Sequence, residues 1–253
     1  CINAMKWFRE LLYFSRDYSD IPKQLLDYSN DTNMLQAISD YAKAADLGIQ
    51  DMQFEFDSKE LKDDTALPSN LPVGIKAALV QFMHALSENS AAGEARLKMG
   101  AVSAKASHQG ENRDGQTASY LLELSDESDG TRKLMALAPA VESALQTGGI
   151  LFVDELEREL HPMLMNYIIA KFQSSTSNPN GAQIVFTTHN TELMNLELLR
   201  KDQLYFADKR DKDGASELYS ISEFSTRTTE NIRKGYLVGK YGATPDIEIE
   251  EVE

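Results

Sequence analysis

Gly148-Gly149-Ile150-Leu151-Phe152-Val153-Asp154-Glu155 is the stretch on which the fold turns. Four apolar residues ending in two adjacent acids read as a buried strand that delivers carboxylates to the edge of a sheet. Parallel strands covered on both faces are continuously apolar and do not alternate. A strand-end Asp can hold a Mg²⁺ ion through water, and the Glu beside it can polarise an attacking water. Phosphoryl-transfer ATPases need that pair of roles. A strand ending in acids also arises simply to cap a following helix, so the flanking sequence decides.

Upstream lies Ser125-Asp126-Glu127-Ser128-Asp129-Gly130-Thr131-Arg132-Lys133, followed by an apolar helical run from Leu134 to Leu145 that Pro139 is placed to kink. Hydroxyls and a glycine at a helix start offer free backbone N–H groups and a positive dipole end, an anion site. The plainer reading is an N-cap at Ser128 or Asp129. Downstream, Gln183-Ile184-Val185-Phe186-Thr187-Thr188-His189-Asn190 reads as a second buried strand, ending in hydroxyls and a histidine. The three elements share one order: anion-binding helix start, acidic strand end, histidine strand end.

These residues resemble the C-terminal part of an ABC-type ATPase head, the superfamily of the transporters, the SMC proteins and RecF. Within it, Glu127-Ser128-Asp129-Gly130-Thr131 is similar to the variant signature of bacterial AAA-labelled, OLD-like ATPases of abortive-infection and phage-defence systems. Asp154-Glu155-Leu156-Glu157-Arg158-Glu159-Leu160-His161-Pro162 resembles the Walker B and D-loop of that group, and Phe186 to Asn190 its switch-histidine motif. Gly235 to Pro245 is similar to the group's ending. The resemblance is specific from about Thr117 to Pro245 and looser before it. It implies an α/β fold, a partial ABC-ATPase head with a mostly parallel, P-loop NTPase-like sheet, preceded by a helical region and ending in a β-hairpin.

The resemblance also implies roles. Asp154 would hold Mg²⁺ through a water, since a hard cation prefers carboxylate and water oxygen. Glu155 would activate the attacking water, and His189 would sense the γ-phosphate. Ser128, Gly130 and Thr131 would clamp ATP bound to a second copy of the head. Glu159, Leu160 and His161 would form the D-loop along that dimer interface, with His161 near the nucleotide. Glu157 and Arg158 read as an ordinary solvated helix start. The implied function is an ATP-driven dimerisation switch that controls a separate effector, a nuclease or toxin.

One motif is absent. No G-x-x-x-x-G-K-[ST] loop occurs in the 253 residues, and Gly74-Ile75-Lys76 lacks the first glycine and the hydroxyl of a phosphate cradle. The expectation is that a lobe carrying this loop lies outside the chain, which starts at Cys1, and that this piece alone hydrolyses no ATP.

The net charge of −15 does not support a nucleic-acid surface, because phosphate binding is Lys and Arg work, although Lys209, Arg210, Lys212, Arg227, Arg233 and Lys234 offer local basic patches. No apolar run nears the ~20 residues of a membrane span, so a cytoplasmic protein without membrane contact is expected. A single cysteine excludes an internal disulfide framework. The four histidines, His84, His108, His161 and His189, show no metal-ligand spacing.

The rest divides into residues 1–116, a helical arm or lid with short strands, 117–245, the ATPase part, and an acidic tail, 246–253. Phe8, Leu11 and Leu12 recur at helical spacing, as do Met34, Ile38, Tyr41 and Ala45, the latter helix capped by Asp31. Met52 to Phe56 alternates as a strand. A helix from Val73 to Leu86 puts Ile75, Leu79, Phe82, Met83 and Leu86 on one side, and Trp7, Phe8 and Phe82 read as core. Val102 to His108 turns through Gly110 to Gly115 into Thr117 to Leu124. His108 fits that hairpin structurally, the nucleotide-proximal alternative staying open. Asp213-Gly214 sets a late hairpin between Leu204–Ala207 and Glu217–Ile221. Two rivals remain: a non-catalytic ATPase-like interaction module, and a DNA-repair ATPase of the RecF or SMC type.

Overall fold

The computed structural model describes residues 12–15, 21–46, 48–60, 72–89, 98–111, 115–210, 213–225 and 231–244. In chain order the elements are β1 (Leu12–Ser15), α1 (Ile21–Asp27), α2 (Thr32–Ala45), β2 (Ile49–Glu60), α3 (Val73–Asn89), β3 (Lys98–Glu111) and β4 (Thr117–Glu123). There follow α4 (Asp129–Thr147), β5 (Ile150–Val153), α5 (Pro162–Gln173), β6 (Gln183–Phe186), β7 (Tyr205–Lys209), β8 (Ser216–Ser220) and α6 (Ile232–Leu237). They fall into two compact units: Cys1–Arg16 with Ser143–Glu253, and Asp17–Glu142. Trp7, Phe8, Leu11, Lys212, Arg227, Pro245 and the acidic tail lie outside the described residues.

In the first unit the quoted stretch forms β5, the middle strand of a parallel sheet ordered β1-β5-β6. Leu151 and Val153 are buried at 0% and 2% exposure. Ile150 to Val153 pair with Gln183 to Phe186 on one side and follow Leu12 to Ser15 on the other. Two expectations change. Leu12 begins a strand instead of continuing a helix, because a short apolar run such as Leu-Tyr-Phe satisfies either periodicity and parallel pairing with β5 selects extended backbone. β6 is not buried throughout: Val185 is 48% exposed. It flanks the sheet among the described strands, so its residues alternate instead of being covered on both faces.

The segment between β5 and β6 carries α5, which buries Met165, Ile168, Ile169 and Phe172 and packs beside β6. Gly148 makes the turn into β5 at φ +68°, and a Cβ there would stand 2.6 Å from the Asn180 carbonyl oxygen. The Asn180 amide donates to the carbonyls of Leu145 and Gln146, closing the last turn of α4. Farther on, the expected β7–β8 hairpin packs Phe206 and Ile221 with Ile232 and Tyr241. Gly235 leaves room for the Tyr241 ring, which a Cβ would meet at 2.7 Å. That packing accounts for much of the Gly-Tyr-rich ending.

In the second unit β2, β3 and β4 form an antiparallel sheet, with β2 and β3 longer than the sequence suggested and β4 close to the expected span. Asp31 caps α2 by accepting the Met34 amide, and Met34, Ile38 and Tyr41 are buried as expected. Tyr41 donates its hydroxyl to Glu142 at 2.9 Å. From Leu134 to Val141 α4 is buried nearly all round, and Pro139 lies inside the helix without ending it. The expectation for Phe82 fails: it is 55% exposed, and Ile75 is 50% exposed. Helical spacing fixes which residues share a face, not that a partner covers it. The fold class is α/β, with the parallel sheet one of three. Among the described residues no helix is long and apolar enough to cross a membrane.

Candidate functional site

Parallel pairing of Val153 with Phe186 brings the residues after both strands out at the same sheet edge. Ligands of open α/β sheets bind outside such carboxyl ends. The ladder runs on beyond the strands: the Thr187 amide donates to the Val153 carbonyl and the Leu156 amide to the Thr187 carbonyl, both at 3.1 Å. The Thr187 hydroxyl bridges the acidic pair, accepting from the Glu155 amide at 2.8 Å and donating to Asp154 Oδ1 at 2.7 Å. Asp154 and Glu155 are exposed. Glu155 is held at φ 48°, a left-handed conformation that costs a non-glycine residue about 1 kcal/mol. The Thr187 hydroxyl holds its amide in place there.

Glu157 corrects the sequence reading. Residues 154–159 form turns, with no helix before Pro162, and Glu157 is half-buried. Its Oε1 accepts the backbone N–H of His189 at 2.7 Å. Partial burial pushes its carboxyl up, but the His189 amide, the Thr188 hydroxyl and the charge on His189 together outweigh that and hold it below its ordinary value. Arg158 is exposed, as expected. His161 caps α5, its Nδ1 accepting the Met163 amide at 3.2 Å, and Pro162 occupies the first turn, where a missing N–H is harmless. Accepting at Nδ1 leaves the proton of a neutral ring on Nε2.

Ser128, Gly130 and Thr131 belong to the second unit. Ser128 starts α4 as a cap: its Oγ accepts the Thr131 amide at 3.1 Å and lies 2.8 Å from Thr131 Oγ1. Ser128 is exposed and Thr131 buried, so Thr131 steadies the hydroxyl in front of it. Asp129 pairs with Arg132 one turn on. Immediately before the cap, Glu127 is buried and its Oε1 lies 2.8 Å from His108 Nε2. His108 stacks on Tyr120 with ring centroids 5.5 Å apart. The histidine of the hairpin thus ties β3 to the first residue of the signature.

The first-unit edge thus collects Asp154, Glu155, Thr187, Glu157 and His189, and the second unit holds Ser128, Gly130 and Thr131 at one helix start. Thr187 and Glu157 carry no role in the sequence reading. The only signal for Thr187 is its hydroxyl at a strand end facing an acidic one. Among the described residues no three His, Cys, Asp or Glu side chains converge as a metal cage. A Mg²⁺–nucleotide complex does not require one, since Mg²⁺ keeps several waters and takes one or two carboxylates beside the phosphates. Exposed Asp154, one oxygen fixed by Thr187, fits that donor set.

A family model described as "AAA domain, putative AbiEii toxin, Type IV TA system" matches residues 1–195. The match takes in the helix start at Ser128, both strand ends and the histidine, the features that imply an ATPase of abortive-infection type. With 195 of its 253 residues matched, the chain belongs to this family of AAA-type, P-loop ATPase-like domains.

Proposed function

We propose that this chain is the part of an ATP-hydrolysing head that carries its catalytic carboxylate, and that the head works as an ATP-driven dimerisation switch over a separate defence effector, a nuclease or toxin. The observation that carries the reading is the juxtaposition of Asp154-Glu155 with Thr187-His189 at the ends of adjacent parallel strands. Bound Mg²⁺ would neutralise phosphate charge and fix the γ-phosphate. Asp154 would hold it through water. Glu155, set by the Thr187 hydroxyl, would accept a proton from the attacking water. His189 would donate to a γ-phosphate oxygen that departs on hydrolysis. Ser128 and Gly130, with Thr131 behind them, would clamp the nucleotide of a second copy, and His161 would lie on the same interface. The work would be done in the cytoplasm, and the acidic net charge of −15 does not support a DNA contact. Because the 253 residues hold no phosphate loop, the chain alone is expected to turn over no ATP.

The test is Glu155→Gln in the full-length protein. The amide keeps the shape but cannot take the proton. ATP binding should therefore persist while the hydrolysis rate falls by about 100-fold or more. Hydrolysis at the wild-type rate would refute the assignment of Glu155, and a wild-type protein without hydrolysis would favour a non-catalytic interaction module.

A further inference from the structure

Thr187 already joins the two strand ends through its amide, carbonyl and hydroxyl, so a further contact is not needed to keep them together. Glu157 nonetheless reaches across a 32-residue separation to the amide two positions beyond Thr187. The contact is made to His189 itself. A half-buried carboxylate is an expensive acceptor for the His189 N–H and the neighbouring Thr188 hydroxyl, because desolvation opposes its charge and a neutral oxygen would serve. Its Oε2 is buried and has no hydrogen-bond partner among the described residues. What a carboxylate adds is strength and direction, since an N–H bonded to an ionised acceptor is held about twice as firmly as one bonded to a neutral acceptor.

We propose that Glu157 is the positioning residue for His189: its carboxylate fixes the backbone of the histidine, and so the place of the imidazole, relative to Glu155 two residues before it. The proposal rests on the ATPase reading above. It makes Glu157 the link by which a change at the acidic loop is felt at the histidine. Glu157 touches neither substrate nor metal in this scheme.

The test compares Glu157→Ala and Glu157→Gln in the full-length protein, with Glu155→Gln as the reference for lost chemistry. Hydrogen–deuterium exchange of a peptide spanning Thr187 to Asn190 reads the tether without reference to catalysis. Exchange there should quicken by about 10-fold in the Ala variant and by less in the Gln variant, whose neutral amide oxygen still accepts but holds the N–H less firmly. In kinetics the Ala variant should lose kcat on the order of 10- to 100-fold, with KM for ATP changed by no more than ~3-fold. The Gln variant should recover part of kcat and lie between Ala and wild type. Unchanged exchange in the Ala variant overturns the proposal, as does faster exchange with wild-type kcat, or a Gln variant that matches Ala in both readouts. A wild-type protein without turnover, or one no faster than Glu155→Gln, sinks the ATPase reading instead, and the proposed purpose of the tether goes with it. The exchange data would then still report whether the tether exists.

Discussion

At the residue scale the chain stores its chemistry in side chains whose partners are far away in sequence. Glu157 accepts from an amide 32 positions on. Its carboxyl is held below its ordinary 4.5 because the His189 amide and Thr188 hydroxyl outweigh partial burial. A depressed folded pKa means that the stabilisation is complete above 4.5 and disappears as pH falls through the lower folded value. The melting temperature of wild type should therefore exceed that of Glu157→Gln by a constant margin at neutral pH, and the margin should close under acid conditions. A gap that widens on acidification would reverse the sign and contradict the assignment. A local reading of the sequence misses this residue for a physical reason. Acids just after a strand usually favour the positive end of a following helix, and only the register of β5 against β6 reveals another partner. His108 was half legible for the same reason. Its place in a hairpin follows from alternation, whereas its pairing with Glu127 depends on where β3 delivers it.

Elements were most legible where local preference and tertiary demand agree. β5 is four apolar residues between glycines and acids, and the middle of a parallel sheet asks for that. α2 announces itself by its Asp31 cap and its apolar spacing. β1 was not legible, because four residues carry too little period to separate strand from helix and its fate is settled by a partner beginning at Ile150. The α4–β5 junction permits a sharper test. Gly148 and Gly115 both have positive φ, +68° and +73°, but only at Gly148 would a Cβ collide with backbone, at 2.6 Å from Asn180 oxygen. Gly115→Ala should cost about 1 kcal/mol, the conformational penalty alone. Gly148→Ala carries the same penalty plus displacement of the Asn180 loop that closes α4, and should cost about 3 kcal/mol. Urea unfolding of the two variants measures the difference. Equal costs would mean that the junction gives way easily, and that β5 is not held by it.

At the scale of the whole molecule, the proposed switch separates two kinds of damage. Glu155→Gln removes the proton acceptor and leaves the signature intact, so ATP should stay bound and the nucleotide-held dimer should accumulate. Ser128→Arg acts elsewhere. Ser128 is exposed and its hydroxyl caps α4, and a long cation there brings bulk and charge to the position proposed to meet the partner's nucleotide. Losing the cap costs about 1 kcal/mol, too little to unfold the protein, so each head should still bind ATP. Size-exclusion chromatography of the full-length variants with ATP should accordingly give dimers for Glu155→Gln and single heads for Ser128→Arg. Crosslinking at the signature, with and without nucleotide, guards against a dimer held through other surfaces. A Ser128→Arg protein that dimerises with ATP as readily as Glu155→Gln would remove the signature from the interface. The acidic edge would then remain a site of hydrolysis with no part in assembly, because nothing at the ends of β5 and β6 requires a second copy for the chemistry of Glu155.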